Sequence, residues 1–487
     1  MFHQRIAPRA LDPQSQLAGA LSALKTELKL PLEYPPVAVQ DAEAAVAKHQ
    51  LPSLDLTAFE FVTIDPPSST DLDQAMYLER AGDGYKVLYA IADVPSFVNP
   101  GGELDAETRR RGQTFYAPDG RIPLHPEIIS EDAGSLLPDQ LRAAYVWEFE
   151  LDANAELTSA VVRRAQVRSR AKLNYQGVQE QIDNGTASES LQLLKEIGLK
   201  RIELERKRGG ASLNIPEQEI EQVPGGSGIT YRIVAAPQLP VEDWNAQISL
   251  LTGMAAADIM LKGKVGILRT MPAPDEKSLK AFTLQTAALG QKWDSSISYG
   301  EYLRTLDPSN PKHLAILHSA GVLFRGAGYT PFDGDVPQET VQAAIGAPYA
   351  HTTAPLRRLV DRWSLVICEA LSNGQEVPAW ARESLAQLPE IMTASDQLAS
   401  KLERVSIDTI EAAILSPLVG REFEAVVISG SRDGNGKPDH VPYGIVQIAE
   451  PAVAARCEGE MEAGTVVRVK LVSVDIVKRE IVLQRVG

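Results

Sequence analysis

FVTIDPPSSTDLDQAMYLER, residues 61–80, decides how the rest of the chain is read. The apolar and β-branched residues from Phe59 to Ile64 predict a short strand. Pro66, Pro67 and the Ser68-Ser69-Thr70 run then force a tight, non-helical loop. Three carboxylates, Asp65, Asp71 and Asp73, fall on that one loop. At neutral pH they repel one another unless a cation sits between them. Hard oxygen ligands of this kind suit Mg²⁺ or Mn²⁺, ions that often bridge protein carboxylates and a substrate phosphate. A solvated acidic turn fits the same spacing. An EF-hand does not, because the loop lacks the glycine its sharp turn needs.

Around this loop lies a chain of 487 residues, a length that suggests two or three domains. Its composition, 44% hydrophobic and 23% charged, is that of a globular protein. No apolar run reaches the length of a membrane-spanning helix, and no membrane association is expected. The opening MFHQRIAPRALDPQSQ lacks the apolar stretch of a signal peptide. Two cysteines, Cys368 and Cys457, have neither metal-type spacing nor a disulfide framework, so a cytoplasmic location is expected. The net charge of −16 argues against nucleic acid only if positive residues are dispersed. They are clustered, in Arg109-Arg110-Arg111, RRAQVRSRAK (163–172), KRIELERKR (200–208) and LRRLVDR (356–362). Each patch alone reads as a solvated helix face. Together, beside a carboxylate loop, they point to a phosphate backbone.

Three regions follow along the chain. Residues 1–50 are read as a small helical region. Leu17, Leu21, Leu24 and Leu28 give PQSQLAGALSALKTELKL (13–30) a helical period, and a second helix is expected over 39–50. A helix-turn-helix or winged helix and a simple helical brace both fit. Residues 51–415 mix strands, such as YKVLYAIADVPSFV (85–98), with helices: LDAETRRRG (104–112), a long one over 190–210 and another over 241–263. They are read as one large α+β domain that becomes mostly helical after 280. Residues 417–487 change to short alternating strands around a turn-rich loop, SRDGNGKPDH (431–440). That pattern suggests a five-stranded OB barrel, in which Phe423 and Tyr443 are candidates for stacking on bases or for the core.

Thr63-Ile64-Asp65 and Asp71-Leu72-Asp73 resemble the catalytic loop of the RNase II/RNase R exoribonuclease family, the RNB domain, which carries T-I-D followed by D-x-D-D. Further segments resemble that family in order: 90–142, AKLNY (171–175), VEDWN (241–245), YAHTTAPLRRLVDR (349–362) and KLERVSID (401–408). The closing GTVVRVKLVSVDIVKREIVL resembles the end of an S1 RNA-binding domain. Fifty residues are too few for the two cold-shock barrels that precede the catalytic domain in the family.

The resemblance implies a 3′→5′ exoribonuclease acting on single-stranded RNA through two-metal hydrolysis. A monomer is expected by default, since nothing in the sequence suggests otherwise. It assigns Asp65, Asp71 and Asp73 to Mg²⁺, with Mn²⁺ as the alternative ion, and ties Asp73 most closely to catalysis. Arg357 would clamp terminal phosphates, with Arg358 as a second contact. Glu242 and Glu403 would face the 3′-terminal ribose, and Tyr116 and Tyr175 would stack on bases. Tyr175 would fix the length of the final product. Tyr443 extends the RNA-binding set into the S1 domain. The sequence departs from the family at Gln74, a neutral residue at the fourth aspartate position that is still expected to orient a metal-bound water. It departs again where Thr352, Ala354 and Leu359 replace an aromatic, a serine and a tyrosine. Gln74 also favours a rival reading, a catalytically silent RNA-binding protein. A metal-dependent nuclease with DNA preference or internal cleavage is a second rival.

Overall fold

The computed structural model describes residues 13–213, 217–225, 228–236, 239–432, 441–451 and 453–486. Residues 433–440 of the turn-rich loop lie outside them.

Two helices open the chain, α1 (Pro13–Glu27) and α2 (Pro36–Lys48). A closed barrel follows, built from β1 (Phe61–Ile64), β2 (Gln74–Ala81), β3 (Gly84–Ala92), β6 (Leu141–Leu151) and β7 (Leu157–Leu173), with β4 (Phe115–Ala117) and β5 (Gly120–Ile122) forming a small separate hairpin. Helix α3 (Glu103–Arg111) lies between β3 and that hairpin. The barrel closes where β1 runs parallel to β7, pairing Phe61 with Ser169 and Ile64 with Leu173. Tyr85, Val87, Tyr89, Trp147, Phe149 and Val162 pack on one side of its sheet, which is expected of β-branched and aromatic residues alternating along strands.

The stretch 163–172 is strand, not the helix face its arginines suggested. Val162, Ala165, Val167 and Ser169 are buried between more exposed arginines. The arginine clusters are also largely used internally. Arg111 and Arg110 pair with Glu107, Arg164 with Asp93, and Arg362 with Asp105. Those side chains are held by the fold rather than offered to a phosphate backbone.

Helices α4 (Tyr175–Asp183), α5 (Glu189–Lys207) and α6 (Pro240–Gly263) cover the barrel, and a hairpin of β8 (Glu217–Gly225) and β9 (Gly228–Ala236) separates the last two. After 265 the chain is not uniformly helical. β10 (Val265–Thr270) pairs with β11 (Gly328–Asp333) across α7 (Glu276–Ala288), α8 (Tyr299–Arg304) and α9 (Pro311–Ala320). A short pair, β12 (Val341–Gln342) and β13 (Ala347–Pro348), precedes α10 (Leu359–Ser372), α11 (Ala379–Ser384) and the long α12 (Leu388–Leu415). A second closed barrel ends the chain, β14 (Glu422–Arg432), β15 (Tyr443–Ile448), β16 (Val453–Glu458), β17 (Val466–Asp475) and β18 (Glu480–Arg485), in the order β14-β15-β16-β18-β17.

The leucine stripe at the start of the chain is a brace. Leu17 and Leu21 pack with Ile410 of α12 and Ile476 of the C-terminal barrel. Leu24 and Leu28 pack with Leu402 and Val405 of α12 and with Phe115 and Ile122 of the β4–β5 hairpin. Each buried leucine contributes roughly 1.5–3 kcal/mol. The hairpin thereby gains a floor on which its outer residues are presented.

Candidate active site

The aspartate loop leaves the barrel at the end of β1 and returns as β2. Its path is fixed by bonds that the prolines and serines leave open. Lys172 of β7 donates to the carbonyls of Pro67 and Ser69, both at 2.6 Å. Ser135 donates to the Thr70 carbonyl at 2.7 Å and accepts from the Leu72 amide at 2.9 Å. Asp65 continues the β1–β7 pairing by donating its amide to the Leu173 carbonyl.

Above the loop lies a cavity of about 920 Å³. Asp65, Asp71, Asp73, Gln74, Tyr116, Tyr175 and Arg357 all line it, together with Arg121. Residues far apart in sequence thus meet in one chamber. Asp73 is buried, and its Oδ1 accepts the Leu356 amide at 2.7 Å while Arg357 Nε stands 3.5 Å from its Oδ2. The Arg357 side chain keeps about half its surface in solvent (49%), as a group that must meet a ligand does. Tyr175 opens α4, capped by Asn174, and its hydroxyl accepts from Asn245 at 3.3 Å.

The other expected residues are placed differently. Glu403 and Arg358 line a neighbouring cavity of about 390 Å³, which shares Tyr116 and Arg357 with the first. Arg358 is held there by a two-pronged pair with Asp361, at 2.8 and 2.9 Å. Its fork is therefore occupied by the fold. Glu242 lies in the first turn of α6, close enough for its charge to act on Tyr175. Tyr443 lies on β15 with the Arg456 guanidinium 4.0 Å over its ring. Phe423 packs against the core of the C-terminal barrel.

Burial governs the acid groups. It pushes the Asp65 carboxyl up to about 6, helped by the charge of Asp71 and opposed by Arg357 and Lys172. It holds the Asp73 carboxyl well above the usual range, against the pull of Arg357 and the Leu356 amide. Both carboxylates need more positive charge than the chain gives them. The Asp65 Oδ2 atom, moreover, is buried without a hydrogen-bond partner. A hard divalent cation fits this donor set. Asp65 and Asp73 are the residues that would hold it.

Asp71 and Gln74 serve otherwise. Asp71 Oδ1 accepts from Arg121 at 2.6 Å, and its Oδ2 accepts from Tyr116 at 3.4 Å. The Gln74 oxygen accepts from the hydroxyls of Tyr89 and Ser249, and its amide donates to the Thr353 carbonyl at 2.8 Å. Among the described residues, no three His, Cys, Asp or Glu side chains converge as a metal cluster. The four residues expected from the sequence share the cavity, with Asp71 and Gln74 engaged by other side chains. Arginine and hydroxyl partners, absent from the loop itself, hold those two.

Arg121 falls outside the cationic stretches of the sequence, whereas Lys172 closes one of them, RRAQVRSRAK. Arg121 was accessible to a closer reading: Tyr116 and Arg121 are cross-strand partners on the β4–β5 hairpin, so they share a face. Lys172 sits in AKLNY, beside Tyr175.

Two family models match the chain, the RNB domain over residues 53–371 and the RNase II-type exonuclease C-terminal S1 domain over 421–486. The chain is 26% identical to "Exoribonuclease 2" of Actinobacillus pleuropneumoniae serotype 3 over 503 aligned residues, covering 92% of this chain and 74% of the relative. Its fold is like that of Mycoplasma genitalium RNase R solved in complex with ribose methylated single-stranded RNA. The TM-score is 0.81 at 19% identity, over 98% of this chain and 78% of the other. Yeast Ssd1, described as a pseudonuclease, shares the fold with a TM-score of 0.65 at 16% identity, over 88% and 52% of the two chains.

Proposed function

We propose, for a chain that belongs to the RNB-domain family and carries an RNase II-type S1 domain, the hydrolysis of single-stranded RNA from its 3′ end to 5′-mononucleotides. One observation carries this reading: Asp65, Asp73, Arg357, Tyr116 and Tyr175 line a single cavity. That is an acid site, a phosphate clamp and two aromatic faces in one chamber, which suits the end of a polyanion.

Arg357 can offer two parallel N–H groups to the scissile or terminal phosphate. Stacking on Tyr175 and Tyr116 would hold the terminal bases at roughly 1–3 kcal/mol each without reading their identity. Glu242 and Glu403 are the carboxylates proposed for the ribose hydroxyls, and so for RNA over DNA. A bound divalent cation, Mg²⁺ in this proposal, would lower the pKa of the attacking water and stabilise the leaving 3′-oxygen. The Leu356 amide, 2.7 Å from Asp73 Oδ1, orients this carboxyl and supports the reading. The enzyme is proposed to act as a monomer in the cytoplasm.

The silent-binder reading is favoured by Gln74, whose side chain is neutral and committed at both ends. A time course on 5′-labelled single-stranded RNA decides between the two. Mg²⁺-dependent conversion to a short 5′-labelled end product, absent in EDTA, supports the enzyme. Intact RNA in both lanes with a shifted band on a native gel supports the binder.

A further inference from the structure

The Arg121 guanidinium stands among acidic groups at the cavity wall. Its Nη1 donates to Asp71 at 2.6 Å, and its Nη2 lies 2.6 Å from Glu131 and also reaches the Thr70 hydroxyl. Thr70 in turn donates to Glu131 at 2.7 Å, which closes a ring of contacts around the aspartate loop. The hairpin that carries Arg121 rests on α1 and α12 through Phe115 and Ile122, so this charge is fixed in place rather than borne on a free side chain.

Asp65, Asp71 and Asp73 line the cavity with Arg121 and Arg357. Asp71 and Gln74 are engaged by partners from the fold, which leaves Asp65 and Asp73 to hold a cation. We propose that Arg121 takes the place of a second cation: the site binds a single divalent ion, held from Asp65 and Asp73, while the guanidinium neutralises Asp71 and keeps it from a metal. This inference rests on the metal-dependent hydrolysis proposed above.

The test counts ions rather than turnover. Mn²⁺ is titrated into the full chain without RNA, with the free ion read by electron paramagnetic resonance. Wild type should bind one ion, Arg121→Lys one, and Arg121→Gln two, since Asp71 is then released. Two ions on wild type, or one ion on Arg121→Gln, would overturn the assignment while leaving the hydrolase reading intact. Absence of Mn²⁺ binding in every form would overturn both. If Arg121→Gln does not fold, Gln74→Asp tests the same point, because Arg121 should hold the count at one despite the added carboxylate. A second ion there would sink the idea.

Discussion

Replacing Asp73 by asparagine should separate catalysis from folding. The substitution keeps the size of the side chain and an oxygen for the Leu356 amide, now at 2.7 Å, but deletes the charge that faces Arg357. Burial holds this carboxyl well above the usual range, so the folded protein resists its ionisation. The sign follows from that: a folded-state pKa above the unfolded one stabilises the fold at low pH, and the benefit is lost as pH rises through the folded value. In EDTA, Asp73→Asn should therefore be more stable than wild type at pH 8, with the difference shrinking towards pH 4. Turnover in Mg²⁺ should fall by roughly 10²-fold or more, the scale on which loss of one organised charge is felt at a transition state. RNA affinity should stay within a few fold. Thermal scans across pH, single-turnover assays and filter binding read the three quantities. A variant that is destabilised at pH 8, or that retains more than a tenth of the activity, would refute the placement of Asp73 as a buried, strained, metal-directed carboxylate.

Further outcomes are expected elsewhere. Tyr175→Ala removes an aromatic face of the cavity, so the limit product should change in length; an unaltered ladder on a sequencing gel would dismiss that role. His125 is buried with a pKa lowered to about 4, and its Nδ1 lies 3.1 Å from the Leu356 carbonyl. It contributes stability above its unfolded value near 6.5 that is lost as pH falls towards 4, about 3 kcal/mol when complete. His125→Asn should flatten that acid limb in urea titrations; parallel limbs would mean another group is responsible. Gly112 adopts φ +74°, and a Cβ there would lie 2.6 Å from the Ser395 side chain. Gly112→Ala should cost about 1–3 kcal/mol of stability by the same titrations, and a neutral result would show that α3 and α12 can separate.

Local signals carried the reading of the active loop. Proline-serine chemistry between an apolar strand and QAMYLER marks a turn whatever surrounds it, and Asp65, Asp71 and Asp73 flank that turn. The helices at 104–112, 190–210 and 241–263 follow from periodicity and terminal glycines, and they occur within a few residues of those bounds. The stretch at 163–172 was misleading because long arginine stems mask a two-residue alternation of small buried side chains. Partners distant in sequence were hidden altogether. Gln74 looked like a weakened ligand, yet Ser249 and Thr353, which hold its side chain, belong to segments brought near only by the tertiary fold. Asp71 looked like its neighbours until the hairpin placed Arg121 against it.

The brace formed by α1 bears on when this protein becomes active during its own synthesis. Leu24 and Leu28 leave the ribosome early, but Leu402 and Val405, against which they settle beneath the β4–β5 hairpin, leave late. Asp73 waits across 283 positions for the Leu356 amide that fixes it. At 5–20 residues per second that interval is roughly 15–60 s. A nascent chain can close its first barrel in this time, yet it has neither the arginine clamp nor the floor of its hairpin. The arginine clamp and the floor of the hairpin are thus completed one after the other, the second only once Val405 has emerged.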